Sequence, residues 1–162
     1  MTVSDRVQLE NEAATLAIAA QFARALNECT IVYLNGDLGA GKTCFSRGVI
    51  HALGFDGRVK SPTFTLVELY ELASGRSVFH FDFYRLSDPD EVYYLGIDDY
   101  VRDGFVCLME WPSKAQGCIP QADVVVNLEH AGESRVIELI AVSDVGAYVL
   151  ERMSRENNEE NH

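Results

Sequence analysis

The stretch GDLGAGKT, from Gly36 to Thr43, decides the fold of this 162-residue chain. It matches the pattern G-x-x-x-x-G-K-[ST] in full and follows Ile31–Leu34, an apolar, β-branched run that predicts a strand buried on both faces. After Thr43, apolar residues recur at helical spacing as far as Leu53, and Gly54 is well placed to end that helix. A strand, a glycine loop and a helix in this order predict a phosphate-binding loop.

The chemistry of the loop follows from its residue types. Glycines let backbone N–H groups close around phosphate oxygens, and the positive end of the helix dipole favours an anion. Lys42 supplies a charge for the β and γ phosphates, and the Thr43 hydroxyl can ligate Mg²⁺. We therefore expect the chain to bind a nucleoside triphosphate, ATP or GTP, with Mg²⁺.

Two acids are candidates to complete the metal site. Glu110 ends the apolar run Phe105–Met109, so the rule for parallel sheets puts it at the edge where ligands bind; a solvated strand-end Glu is the alternative. Asp82 is its rival or companion, and alternation puts it on the same strand face as His80, which we expect to be structural. The expected catalytic residues are Lys42, Asp82 and Glu110, and the expected Mg²⁺ ligands are Thr43, Glu110 and Asp82.

Further candidates flank these acids. The segment Ser61–Thr65 lies where many phosphate-loop proteins sense the γ-phosphate; a strand that begins at Pro62 is the alternative. Trp111, the one tryptophan, lies beside the nucleotide or in the core, and Arg85 neutralises phosphate charge or pairs with an acid. The residues expected to contact the nucleotide are Asp37, Leu38, Gly39, Ala40, Gly41, Lys42, Thr43, Cys44, Thr63 and Trp111.

The remaining elements are predicted from apolar periodicity and turn residues. They are a helix over 10–27, a hairpin of strands 63–72 and 78–83, a helix from an Asp88 N-cap to near Gly96, and strands over 124–128 and 135–141. Together they predict an α/β fold of the P-loop NTPase-like kind, with three layers and a central mixed β-sheet flanked by helices. We expect one domain over 1–150, followed by a frayed polar tail over 151–162.

Composition limits the classes of partner. A formal net charge of −12, with 13 scattered Lys and Arg, disfavours direct binding to nucleic acid or anionic lipid. Four well-separated cysteines without zinc-ligand spacing indicate reduced thiols, although the helix dipole could lower the pKa of Cys44. The chain shows no signal peptide and no membrane span, so a cytoplasmic location is expected.

Four blocks together, GDLGAGKT, SPTFTL, HFDFYRL and MEWP, closely resemble the bacterial TsaE (YjeE) family of small ATPases over roughly residues 5–145. The resemblance implies ATP hydrolysis that supports the TsaB and TsaD proteins in the threonylcarbamoyl modification of adenosine 37 in tRNA. By position it makes Lys42 and Thr43 the Walker A pair and Thr63 a switch-like threonine. It also makes Asp82 and Glu110 the acids near Mg²⁺ and Trp111 their aromatic neighbour. Contact with tRNA would then be indirect, through the complex, which suits an acidic chain.

Two other classes share the loop. A small-molecule kinase should add an acceptor pocket and lid arginines, and the sequence shows no lid insertion. A nucleotide-gated binding module, in which the bound state recruits a partner and hydrolysis is incidental, remains an alternative.

Overall fold

The computed structural model describes residues 6–160, which form seven strands, five α-helices and a short 3-10 helix. The strands are β1 (Val7–Leu9), β2 (Thr30–Asn35), β3 (Val67–Glu71), β4 (Ser77–Asp82), β5 (Val106–Glu110), β6 (Val124–Ala131) and β7 (Ser134–Ala141). The helices are α1 (Glu12–Arg24), α2 (Lys42–Ala52), α3 (Asp90–Leu95), α4 (Ile97–Asp103) and α5 (Asp144–Glu160), and the 3-10 helix is Pro112–Ala115.

The strands make one mixed sheet in the order β1-β7-β6-β2-β5-β4-β3. The four central strands, β4, β5, β2 and β6, run parallel, while β3, β7 and β1 are antiparallel to their neighbours. The carboxyl ends of β2, β4 and β5 therefore meet at one edge of the sheet. That edge holds the end of β2 that leads into the glycine loop, together with Asp82 and Glu110.

Side-chain alternation gives the two faces of the sheet different cores. Aliphatic residues such as Val78, Val106 and Leu108 pack under α1, α2 and α5. The other face is aromatic, with Phe79, Phe81 and other residues packed under α3, α4 and the 3-10 helix. Helices thus cover both faces, which confirms the predicted three-layer α/β fold.

Most predicted elements are present, with small shifts at their ends. Helix α1 spans 12–24 rather than 10–27, because the side chain of Asn11 caps its first turn by accepting a 2.9 Å hydrogen bond from the Ala14 N–H. Helix α3 begins at Asp90 with Pro89 at the N-cap, one residue later than expected, although the Asp88 carboxylate still accepts a 2.9 Å bond from the Asp90 N–H. Gly96 ends α3 with a φ of 75°.

Two expectations about local structure were wrong. Residues 63–65 are not part of a strand, because the Leu66 N–H bonds to the Pro62 carbonyl and closes a turn, so β3 begins at Val67. The alternative of a strand that begins at Pro62 fails for the same reason. The polar stretch 151–160 is helical rather than frayed, because it continues α5 and buries Met153 against α1. Residues 161–162 of the expected tail lie outside the described residues.

Within residues 6–160, no helix is long and apolar enough to cross a membrane. The four cysteines carry free thiols. Burial raises the pKa of Cys44, which is opposite in direction to the shift that a helix dipole would give.

Candidate functional site

The glycine loop joins the end of β2 to the start of α2 and approaches the backbone of β6 closely. A Cβ atom on Gly36 would lie 2.6 Å from the Leu128 carbonyl oxygen, so only glycine fits there. Gly41 has a φ of 107° and forms the N-cap of α2 without any side-chain cap. The first N–H groups of α2 have no acceptor within the helix, which makes this end suited to bind an anion.

Lys42 lies inside the loop and is 5% exposed. Its Nζ donates to the Gly36 carbonyl and, at 3.2 Å, to the Asp37 carbonyl, and it lies 4.1 Å from the centre of the Trp111 ring. Burial lowers the pKa of Lys42, while the charges of Glu110, Asp82 and Asp37 oppose this shift. A buried ammonium held by backbone carbonyls can exchange these oxygens for those of a phosphate.

Asp82 and Glu110 lie side by side because they are register partners at the ends of parallel strands β4 and β5. The Thr43 hydroxyl donates to Glu110 Oε1 at 3.4 Å, so α2 meets the acids directly. Asp82 accepts hydrogen bonds from the Tyr84 N–H at 2.9 Å and the Thr63 hydroxyl at 3.3 Å. Burial raises the pKa of Asp82, the Tyr84 N–H lowers it, and the neighbouring charge of Glu110 raises it.

His80 has a role that its sequence position alone does not reveal. Its Nε2 donates to Glu110 Oε2 at 2.6 Å, and both side chains are buried. His80 Nδ1 has no hydrogen-bond partner among the described residues. The expected structural histidine therefore orients the Glu110 carboxylate, leaving Oε1 toward Thr43.

The segment Ser61–Thr65 reaches the acids through Thr63, whose hydroxyl bonds to Ser61 Oγ as well as to Asp82. Phe64 is 80% exposed, and the Arg85 guanidinium stacks on its ring at 4.2 Å. Within the described part of the chain, Arg85 pairs with no acid. Arg85 therefore holds an aromatic side chain of the segment instead of an acid, and its neutralisation of phosphate charge stays a prediction.

Trp111 lies at the site and partly in the aromatic core. It adopts a φ of 57°, and its ring lies 5.0 Å from that of Tyr84 as well as against Lys42. The two alternatives for Trp111 are thus combined, since a partly buried ring forms one wall of the site.

The opposite side of the loop meets the β6–β7 hairpin. His130 Nε2 lies 3.3 Å from the Leu38 carbonyl oxygen, and Arg135 donates to the Gly39 carbonyl at 3.2 Å. A cleft of about 480 Å³ lies between the loop and the end of β6. His130 and Arg135 carry no signal in the sequence, because no motif marks a side chain that binds backbone carbonyls.

The oxygen donors present suit a hard divalent cation. Thr43, Glu110 and Asp82 offer hydroxyl and carboxylate oxygens near the start of α2, and Mg²⁺ is commonly held by one or two carboxylates together with phosphate oxygens and water. No cluster of three or more His, Cys, Asp or Glu side chains among residues 6–160 could hold a metal ion. Thr43 and the two acids offer only part of a Mg²⁺ coordination shell, so they fit a metal whose other ligands are phosphate oxygens and water.

The residues expected to contact the nucleotide are not all equally placed. Lys42, Thr43, Thr63 and Trp111 converge on the acids, whereas Leu38 is 63% exposed on the outer part of the loop. Cys44 lies in the first turn of α2, where its Sγ accepts a 3.8 Å contact from Arg47.

Comparison with known proteins gives one family. Residues 9–137 match the model of the "Threonylcarbamoyl adenosine biosynthesis protein TsaE" family. The chain is 44% identical to the tRNA threonylcarbamoyladenosine biosynthesis protein TsaE of Haemophilus influenzae over 151 residues, or 90% of this chain and 95% of that protein. It is 36% identical to the Bacillus subtilis protein of the same name over 149 residues, which cover 91% and 92% of the two chains.

A solved structure agrees with these sequence matches. The crystal structure of Bacillus subtilis YdiB superposes with a TM-score of 0.78 at 30% identity and covers 97% of this chain and 99% of that one. The match of motifs, sequence and fold extends over nearly the whole chain, and the chain belongs to the TsaE family.

Proposed function

We propose that this chain is a Mg²⁺-dependent ATPase that supports threonylcarbamoyl transfer by TsaB and TsaD in the modification of position 37 of tRNA. The observation that carries the ATPase proposal is the convergence of Lys42, Thr43 and the paired acids Asp82 and Glu110 at one sheet edge. The names of the relatives, tRNA threonylcarbamoyladenosine biosynthesis protein TsaE, support the biological context.

Each residue has a task that its geometry supports. Lys42 exchanges the loop carbonyls for β and γ phosphate oxygens, and the N–H groups at the start of α2 bind the same anion. Thr43 and the acids would hold Mg²⁺, which supplies charge neutralisation at the γ-phosphate when bound. Thr63 bonds to Asp82 and links the segment Ser61–Thr65 to the state of the site.

The intrinsic reaction should be slow. Phosphoryl transfer gains about 10³- to 10⁵-fold in rate from an arginine at the γ-phosphate. Here Arg85 stacks on Phe64 instead, so among the described residues Lys42 is the cation that faces the acids. A partner that orders Ser61–Thr65 or supplies a charge would raise the rate.

Steady-state ATP hydrolysis tests the proposal directly. The purified chain should hydrolyse ATP slowly with Mg²⁺ and not with EDTA, and purified TsaB–TsaD should accelerate it. Because the chain carries a net charge of −12, the stimulation should weaken as salt screens contacts with a basic partner face. If the chain hydrolyses no ATP with or without the partners, the ATPase assignment is contradicted. If the rates with and without TsaB–TsaD are equal at every salt concentration, the partner assignment is contradicted.

A nucleotide-gated binding module is the second candidate, favoured by the absence of an arginine directed at the acids among residues 6–160. Product formation by the reconstituted complex separates the two. If a non-hydrolysable ATP analogue supports as many turnovers as ATP, binding alone is sufficient and the gating function replaces hydrolysis.

A further inference from the structure

The tip of the β6–β7 hairpin lies against the glycine loop. His130 and Arg135 are register partners on neighbouring antiparallel strands, so their side chains project from one face of the hairpin. His130 Nε2 lies 3.3 Å from the Leu38 carbonyl oxygen, and Arg135 donates to the Gly39 carbonyl at 3.2 Å. Since a carbonyl oxygen only accepts, His130 contributes its Nε2–H. One hairpin thus binds two consecutive carbonyl groups of the loop.

These bonds set the direction of the loop N–H groups. A trans peptide is planar, so its N–H points away from its C=O. With the Leu38 carbonyl bound to the hairpin, the Gly39 N–H faces away from the hairpin. The next peptide is fixed from both sides, because Arg135 binds the Gly39 carbonyl and the Ala40 N–H donates to the Asp37 carbonyl at 3.0 Å.

The same strand also contacts the base of the loop. Gly36 lies so close to the Leu128 carbonyl that a Cβ atom would approach it to 2.6 Å. Strand β6 therefore contacts the loop at its first residue through backbone packing and at its outer part through His130. On the outer part, the side chain of Leu38 is 63% exposed.

Lys42 holds different carbonyls from those that the hairpin holds. Its Nζ bonds to the Gly36 and Asp37 carbonyls, and these contacts are exchanged when Lys42 turns to a phosphate. The bonds to Leu38 and Gly39 involve neither Lys42 nor the acids, so the exchange does not require them to break. The hairpin is therefore placed to hold the backbone conformation of the loop while Lys42 changes its contacts.

We propose that His130 and Arg135 are positioning residues that fix the Leu38–Gly39 and Gly39–Ala40 peptides of the nucleotide-binding loop from outside. The consequence of this positioning for nucleotide affinity rests on the proposed function, whereas its effect on the conformation of the loop does not. Without these bonds the loop samples other peptide orientations, and the bound orientation must be selected from them.

The test uses two double variants of the full chain and one control. His130→Leu with Arg135→Met removes both donors and keeps apolar bulk, while His130→Gln with Arg135→Lys keeps a donor at each position. Arg6→Met is the control, because Arg6 bonds to Glu129 of the same hairpin at 3.0 Å and does not touch the loop. Thermal unfolding midpoints check that all variants fold.

The first measurement is the NMR order parameter of the Gly39 and Ala40 amides in nucleotide-free protein. We expect it to fall in the donor-free pair and to stay near the wild-type value in the donor-keeping pair and the control. The second is the Kd for ATP with Mg²⁺. It should rise about tenfold in the donor-free pair, as expected for two exposed hydrogen bonds, with kcat changed less than about twofold.

Order parameters that match the wild type in the donor-free pair overturn the proposal, and so does equal loosening in the donor-keeping pair or in Arg6→Met. Failure of the wild-type chain to bind ATP with Mg²⁺ would instead refute the proposed function, and the order parameters would still decide whether the hairpin holds the loop.

Discussion

The two sides of the glycine loop are built in opposite ways. On the β4–β5 side, Asp82 and Glu110 are 5% and 3% exposed, and each carboxylate is held by hydrogen bonds from its neighbours. On the β6–β7 side, the exposed His130 and the half-buried Arg135 bind only backbone carbonyls. Burial strengthens electrostatic effects and fixes geometry, so we expect the first side to carry the chemistry and the second side to adjust nucleotide affinity.

Lys42 lies between the two sides, and its removal should have the largest effect. Lys42→Ala should lower ATP hydrolysis by about 100-fold or more and weaken nucleotide binding by about tenfold or more, because a charge-assisted contact to phosphate is lost. Steady-state hydrolysis and calorimetric titration measure the two effects. Lys60→Ala, at an exposed position on the chain's surface, is the matched control. Unchanged turnover in Lys42→Ala would contradict a role of the glycine loop in ATP hydrolysis.

Neutralising the acids tests the buried side alone. Glu110→Gln and Asp82→Asn keep the side-chain shape, so we expect Mg²⁺-dependent hydrolysis to fall about 10- to 100-fold in at least one, with a smaller effect on nucleotide binding. Glu129→Gln, on the hairpin side, should leave the rate unchanged. Titrating Mg²⁺ in each variant identifies which carboxylate the metal needs. Full activity in both acid variants would show that the metal binds elsewhere.

The pH dependence of the unfolding free energy should report on the buried side, through Asp82, in the absence of metal. Because burial raises the folded-state pKa of Asp82 above its usual range, the folded protein holds this proton more tightly than the unfolded chain. The contribution of Asp82 to stability is therefore fully present below its unfolded pKa and is lost as the pH rises through the folded pKa. Asp82→Asn should raise the unfolding free energy at neutral pH. Urea unfolding from pH 4 to pH 8 in EDTA measures this, and a variant that is less stable than wild type at pH 7 would contradict the assignment.

The smallest expected effect is spectroscopic. The centre of the Trp111 ring lies 4.1 Å from Lys42 Nζ, so the emission of Trp111 should change when Lys42 moves to a bound phosphate. Fluorescence titration with ATP and Mg²⁺ measures the change, and Trp111→Phe confirms the source of the signal. If the emission spectrum is the same without nucleotide and at saturating nucleotide, the Trp111 ring does not respond to nucleotide binding.

Much of this architecture follows from local sequence signals. The glycine loop, the apolar strand β5 that ends in Glu110 and the alternation in β4 are encoded within a few residues each, and the structure has all three. Strand β1 has only three residues, which is too short for a periodic pattern. In the second half of α5 only a narrow stripe packs against α1, so most of its residues are polar and the sequence pattern shows no helix. In that stripe Met153 is buried and Arg152 donates to the Ala25 carbonyl at 2.7 Å.

The site was less accessible to sequence reasoning where contacts depend on register. His80 pairs in the sheet with Leu108, two residues before Glu110, so its bond to that carboxylate runs diagonally between β4 and β5. Only the pairing of two strands distant in sequence reveals it. The stacking of Arg85 on Phe64 depends in the same way on the turn that 63–65 forms, whereas the sequence pattern favoured a strand there.

The outermost strands of the sheet also bear on how the protein behaves at high concentration. Among residues 6–160, strands β1 and β3 each pair with a neighbour on one side only, and an open sheet edge is a template for self-association. Here β1 is limited to three residues, and β3 has five residues, two of which are the acids Glu68 and Glu71. Two neighbouring copies that met edge to edge at β3 would bring these negative charges together, so the acidic composition protects the sheet from aggregation where it is most open.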